Sequence, residues 1–258
     1  RLIRPTIAAT IADENETTPP RLQSNVASTK WEMRKRYSKF LNGLRDFRVK
    51  PSRLWRQGYE IGFCDLHATT PLDADRSPTI SIIIRTYAGR RHWLHQSLSS
   101  ALNQTYPKLE ILIVEDGSRD YENECKTIQT EQDTGEKIIR YLTQEKLGKS
   151  SAGNLALENS TGEYICFLDD DDLFYPHHIE DLFKTLRDTP SNPAAYSLAW
   201  EVHTRSTSTS SYREEYYEVP RHTRGLFSRK KLAKLNFLPI QSVLFHRELF
   251  AKWGGFES

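Results

Sequence analysis

Four consecutive carboxylates, Asp169 to Asp172, stand in the run GEYICFLDDDDLFYP at residues 162–176. Adjacent acids repel one another, and at the end of a buried strand their charge is costly without a compensating cation. Carboxylates are hard oxygen ligands suited to Mg²⁺ or Mn²⁺, and those ions in turn favour phosphate oxygens. The plainer alternative is a solvated acidic turn capping the following helix, where negative charge suits the N-terminus. Two further groups carry potential chemistry: Glu115-Asp116-Gly117-Ser118, and Arg85-Thr86-Tyr87. A base and a ribose need directional acceptors and an aromatic wall, and a diphosphate needs a metal. The three groups supply all of these if the fold brings them together.

The elements that must position them are legible as runs of apolar residues. Short β-branched or continuous apolar runs at 80–84, 109–114, 138–142 and 164–168 predict strands buried on both faces of a parallel sheet. Between them, 91–102 predicts a helix with Leu94, Leu98, Ala101 and Leu102 on one side, and 150–159 predicts another. After Pro176, Ile179, Leu182, Phe183 and Leu186 share a helical face. This β-α-β-α succession predicts an α/β fold, a mostly parallel central sheet flanked by helices. Such sheets place ligands at the carboxyl ends of their strands. The three polar groups all fall on that rim, the first, second and fourth strands ending in them.

Composition bounds the reading. With 27% charged and 37% hydrophobic residues, 258 in all, the chain reads as a soluble globular protein with room for one large α/β domain and an extension. A net charge of +2 argues against a nucleic-acid partner. The three cysteines, Cys64, Cys125 and Cys166, lack C-x-x-C spacing, and Cys166 falls in a predicted core strand, which suggests a reduced, cytoplasmic chain. No apolar run is long enough to span a membrane, and no signal peptide is visible. A first residue other than Met, and a last stretch that breaks off inside a pattern, suggest a piece of a longer protein.

Three segments are expected. Residues 1–28, rich in Thr, Ala, Asn and Pro, read as a linker or extended arm. Residues 29–76 read as a basic helical extension, Tyr37, Phe40, Leu41, Leu44 and Phe47 recurring at helical spacing among Lys30, Arg34, Lys35, Arg36 and Lys39. Over 29–56 two uses stay open: packing on a neighbouring domain, or peripheral contact with an anionic membrane at its inner face. Residues 77–258 form the α/β domain.

The pieces ISIIIRTY, SLSSALNQTYPKLEILIVEDGSRD and GNLALENSTGEYICFLDDDD, with a weaker PIQSVLFHRELFAKWGGFES, stand in an order and spacing that resembles the inverting family 2 glycosyltransferases. The likeness covers 79–258 and implies the GT-A fold. It implies that Thr86 and Tyr87 flank a nucleotide base and that Asp116 accepts its imide N–H, with Arg85, Glu115 and Asn154 beside the nucleotide. The D-x-D element of such enzymes falls on Asp169, Asp170 and Asp171. Asp171 is the first choice for ligating Mn²⁺ or Mg²⁺, with Asp170 near the ion or the ribose, and Asp172 is left to the following helix. Three positions depart from the family's pattern. Arg85 stands where a small or polar residue is usual, either contacting phosphate or pairing with Glu115. Glu115 replaces an Asp, and Gly153 replaces a common Arg.

The implied reaction is metal-dependent inverting transfer of a sugar from a nucleotide-diphosphate sugar, UDP-linked, to a hydroxyl of a glycan or lipid-linked acceptor in cell-surface polysaccharide synthesis. The general base of the family lies beyond its GGF-acid-S pattern, here Gly254 to Ser258, so it is expected outside this segment; Glu257 is a poor substitute. Competing readings are a catalytically inactive nucleotide-sugar binding or scaffolding domain and a sugar-phosphate nucleotidyltransferase. The latter would need a Gly-rich loop that 85–92 does not supply. His177 and His178 are expected to be exposed at a helix start, and His246 to be a core or rim histidine. The polar stretch 204–217, with Tyr212, Tyr216 and Tyr217, suits either an acceptor loop or a mobile surface loop.

Overall fold

A computed structural model describes residues 2–3, 9–10, 72, 76–132, 136–206, 212–223 and 227–257. The basic helix expected over 29–47 lies outside the described residues. Two short strands come first, β1 (Leu2–Ile3) and β2 (Ala9–Thr10). The predicted alternation follows: β3 (Ile80–Tyr87), α1 (Arg91–Leu102), β4 (Leu109–Asp116), α2 (Glu122–Gln132), β5 (Lys137–Gln144), α3 (Lys149–Asn159) and β6 (Tyr164–Asp169). Then come β7 (Leu173–Phe174), α4 (His178–Asp188), β8 (Ala194–Tyr196), β9 (Ala199–Ser206), β10 (Tyr212–Glu218), α5 (Arg229–Leu232), β11 (Val243–His246) and α6 (Glu248–Trp253).

The large sheet runs β2-β8-β11-β6-β3-β4-β5, and β6, β3, β4 and β5 are mutually parallel. The expected α/β, mostly parallel architecture is the one observed. A smaller sheet, β10-β9-β1-β7, stands beside it. The strands outrun their apolar cores: β3 continues through Arg85-Thr86-Tyr87 and β4 through Glu115-Asp116, because pairing in register carries both to the rim. There Arg85 lies opposite Asp169 of β6, and Tyr87 opposite Asp116 of β4.

Strand side chains alternate between faces, and this alternation sorts the domain. Ile80, Ile82 and Ile84 of β3 join Ile111 and Ile113 of β4 and Cys166 and Leu168 of β6, under Leu94 and Leu98 of α1, Cys125 of α2 and Ile179 and Leu182 of α4. On the other face Ile83, Val114, Ile165 and Phe167 pack against Ala152, Ala156 and Leu157 of α3, with Phe250 and Phe256 alongside. At the amino ends of the strands, on the α3 face, Glu110 is buried. It accepts hydrogen bonds from Ser81 Oγ (2.6 Å), the Thr161 N–H (2.8 Å) and Arg140 Nη1 (2.8 Å). These bonds hold its carboxyl below the usual range although burial pushes the other way.

The two histidines at the start of α4 part company. His177 is exposed as expected, but His178 is fully buried, its ring stacked on Phe174 at 4.5 Å and its Nε2 3.2 Å from the Gln241 carbonyl. It turns onto the face carrying Ile179 and Leu182, so sequence position at a helix start misjudges it. Burial pushes its pKa down to about 3, which keeps the ring neutral.

Candidate functional site

The acids sit where β6 ends, and the pleat divides them. Asp169 follows Ile165 and Phe167 onto the α3 face, whereas Asp170 follows Cys166 and Leu168 onto the α1 face. Each therefore meets a different cation. Asp169 Oδ1 accepts from Arg85 Nη2 (2.6 Å) and Nε (3.2 Å), and its Oδ2 accepts from Lys149 Nζ (2.6 Å). Asp170 accepts from Arg90 Nη2 (2.7 Å) and Nε (3.1 Å), and from Thr86 Oγ1 (2.8 Å). The sequence left open whether Arg85 pairs with Glu115; it pairs with Asp169 instead, because Arg85 and Glu115 project to opposite faces of the sheet.

Arg85 is a built-in part of the sheet. Its side chain is 6% exposed, with the guanidinium over the rings of Phe167 (5.0 Å) and Phe256 (5.7 Å). Gly153 of α3 makes room for this stack: a Cβ there would lie 2.7 Å from the Phe256 ring and 3.5 Å from Arg85 Nη1. Arg85 and Gly153 are thus parts of one arrangement, the small residue on the helix leaving room for the stacked cation on the strand. Asn154 beside it donates to the Phe256 carbonyl (2.9 Å) and accepts from the Phe256 N–H (2.7 Å), tying the final segment to α3.

Glu115 is fully buried on the α2 face, where it accepts from the N–H groups of Asp120 (3.0 Å) and Tyr121 (3.1 Å) and from the hydroxyls of Ser118 and Tyr141. Its extra methylene lets it close the turn from β4 into α2. Asp116, at the next position, lies at the rim. Its Oδ1 takes the Leu147 N–H (2.9 Å) and Gln144 Nε2 (2.7 Å), and its Oδ2 takes the Gly148 N–H (3.1 Å). Those bonds shape the loop into α3, where Gly148 has φ 93°.

Opposite stands the turn after β3. Tyr87 is 52% exposed at the rim. The Tyr121 hydroxyl bridges this turn, accepting from the Arg90 N–H (2.6 Å) and donating to the Tyr87 carbonyl (3.3 Å). Arg90 then extends past the rings of Tyr87 (5.4 Å) and Trp93 (5.7 Å) towards the acids. Its Nη2 is 2.7 Å from Asp170 Oδ1 and 3.1 Å from Asp171 Oδ2. Two carboxylates thus converge on a single positive atom, and hard oxygen donors aimed at one point fit a divalent cation. Asp172 is buried behind them, with its N–H on the Asp169 carbonyl (3.0 Å), and burial followed by its acidic neighbours raises its pKa to about 6.

The structure brings Arg85, Thr86, Tyr87, Asp116, Asp169, Asp170 and Asp171 to one rim, with Glu115 beneath and Asn154 on the α3 side. Sequence reasoning missed Arg90, Lys149, Tyr121 and Phe256. Only the Gly-Arg and Gly-Lys dipeptides at 89–90 and 148–149, each opening a helix beside the rim, signalled two of them. Elsewhere among the described residues, ligand atoms of Glu201, His203 and Glu218 lie within 4.8 Å of one another. That group belongs to the β9–β10 hairpin, where His203 pairs with Glu218 (2.9 Å) and stacks on Tyr216 (4.0 Å).

Comparison with known proteins places this rim in a family. The family model described as Glycosyl transferase family 2 matches residues 81–254. The chain belongs to glycosyl transferase family 2. Its rim is therefore that of a family 2 domain, and the α/β layout is of the GT-A type. An uncharacterized glycosyltransferase of Rickettsia felis is 38% identical over 125 residues, which is 48% of this chain and 20% of the relative. The glycosyltransferase GlyA of Streptococcus pneumoniae is 37% identical over 108 residues, 42% of this chain and 15% of the relative. The match thus spans a small part of these relatives' length. Among solved structures, a mannosyltransferase from Pyrobaculum calidifontis in complex with GDP-Man and Mn²⁺ aligns with 80% of this chain and 54% of its own, at 22% identity and a TM-score of 0.49. No helix among the described residues is long and apolar enough to cross a membrane.

Proposed function

We propose that this family 2 domain transfers a sugar, with inversion, from a nucleotide-diphosphate sugar to a hydroxyl of a glycan or lipid-linked acceptor. The observation that carries this is the convergence of Asp170 and Asp171 on one cationic atom, within the rim that also presents Tyr87, Thr86 and Asp116. Asp170 and Asp171 are the residues to hold Mn²⁺ or Mg²⁺, and the ion when bound offsets the charge on a departing diphosphate. Tyr87, half-exposed, offers a face to the base. Asp116 Oδ2, with one backbone donor, retains capacity for a base N–H. Arg85 and Lys149 hold Asp169 in place, which makes it a support for the site. Asn154 and Phe256 hold the final segment against the donor half, so that an acceptor approaching from that side is aligned with the donor. Donor specificity for uridine belongs to the same reading.

Thermal shift with UDP, GDP, CDP and ADP, each with and without Mn²⁺, tests it. The expected result is stabilisation by a uridine diphosphate only when metal is present, about 2.7 kcal/mol at a ligand concentration a hundredfold above Kd. Equal shifts with and without metal would contradict the reading.

A further inference from the structure

The three cations at the rim are not equivalent. Arg85 is enclosed between Phe167 and Phe256 and cannot leave without unstacking both. Among the described residues Lys149 pairs with Asp169, and it is 62% exposed. Arg90 grips both Asp170 and Asp171, and its side chain is 22% exposed at the mouth. Its backbone is pinned by the Tyr121 hydroxyl independently of its guanidinium, and it follows Gly89 at φ 83°. The guanidinium can therefore swing while the turn stays in place. Tyr87 and Trp93 give it an aromatic track along which a cation retains favourable contact.

From this geometry we infer that Arg90 is a resident counter-ion. Its Nη2 holds the cation position between Asp170 and Asp171, and it passes to the donor's diphosphate when a divalent ion takes that position. The electrostatics demand such a hand-over. A guanidinium and a divalent ion cannot share two carboxylate oxygens without strong like-charge repulsion, so the ion must displace Arg90. Once displaced, Arg90 is an unpaired fork of donors beside a new positive charge, and a diphosphate relieves both at once. Metal and nucleotide binding are then coupled: each is resisted alone and each favours the other. Arg90 also keeps the acids from repelling one another when no donor is present. This inference rests on the metal-and-diphosphate reading of the rim and adds to it a residue with two successive partners.

The test measures free Mn²⁺ by electron paramagnetic resonance during titration of the 258-residue chain, alone and with saturating UDP or GDP. Arg90→Gln removes the charge, and Arg90→Lys keeps it while losing the two-pronged grip. The expected result is that Arg90→Gln binds Mn²⁺ alone about tenfold more tightly than the parent chain, yet binds the nucleoside diphosphate at saturating Mn²⁺ about tenfold more weakly. Arg90→Lys should fall between. Unchanged Mn²⁺ affinity in both variants, with the parent chain still binding Mn²⁺ and diphosphate together, would overturn the hand-over and leave the donor site standing. Absence of Mn²⁺ binding in the parent chain, with or without diphosphate, would overturn both.

Discussion

The same strands carry a buried carboxylate–arginine cluster at each end, and the two are built to opposite purposes. At the amino ends Glu110 is closed off, its oxygens taken by Ser81, Thr161 and Arg140, and the Gly162 N–H donates to Ser81 Oγ at 2.9 Å. A Cβ at Gly162 would lie 2.5 Å from the Ser81 backbone nitrogen, so the chain closes directly over the network. At the carboxyl ends Asp169, Asp170 and Asp171 meet Arg85, Lys149 and Arg90, two of which reach solvent, and Asp171 is 57% exposed. One cluster has a single acid with a full set of partners. The other lies at an open mouth, where acids and cations alike reach solvent. Enclosure marks a structural cluster, and charged groups gathered at an open mouth mark a site that ions can reach.

The contrast breaks if the two ends respond alike to substitution. Glu110→Ala leaves the Thr161 N–H without its acceptor and Arg140 with the Asn159 carbonyl but no carboxylate, and should lower stability by about 3 kcal/mol in denaturant unfolding. The fraction still folded should retain diphosphate affinity in the presence of metal. Asp171→Ala should do the reverse. Affinity for metal and diphosphate together is expected to fall at least about a hundredfold by calorimetry, while unfolding free energy stays within about 0.5 kcal/mol of the parent. If Asp171→Ala unfolded the domain, the rim would be a structural cluster after all.

A third buried ionisable group sharpens the comparison, because His178 has no counter-charge and simply stays neutral. Its pKa of about 3 in the fold lies below its ordinary value of 6.5, so its contribution is intact above pH 6.5. As pH falls from there towards 3 the unfolded chain gains a proton that the fold refuses, and stability declines by up to about 1.4 kcal/mol per pH unit. His178→Phe should flatten that acid limb in a pH series of unfolding curves. The smallest effect is expected at Gly153→Ala. Helix propensity favours the alanine by about 1 kcal/mol, but displacing Phe256 costs about 2 kcal/mol. The net loss of about 1 kcal/mol should come with weaker protection in hydrogen exchange of the Phe256 N–H, which donates to the Asn154 side chain.

The parallel sheet was legible because each strand is a short apolar run followed by polar residues, and the runs are separated by helix-period segments. The rim was legible for a related reason: 85–87, 115–116 and 169–172 are where apolar runs stop. What could not be seen was pairing between side chains. Arg85 meets Asp169 only because β3 and β6 are neighbours in register, a fact that linear spacing does not contain. The alternation of faces then separates Asp169 from Asp170, although they adjoin in the chain. His178 was misjudged because burial at the first turn of α4 depends on Phe174 and Gln241, the latter more than sixty positions away. Arg90 was overlooked since a lone basic residue at a helix start is ordinary until its partners are known.

Asn154 and Phe256 are joined across 102 positions of chain. During synthesis the four parallel strands and their acids emerge long before the aromatic ring that closes over Arg85. A nascent domain therefore possesses those strands while the guanidinium beside Asp169 still lies open to water on one side. Closure over Arg85 waits for residues that never touch the hydrogen bonds between those strands.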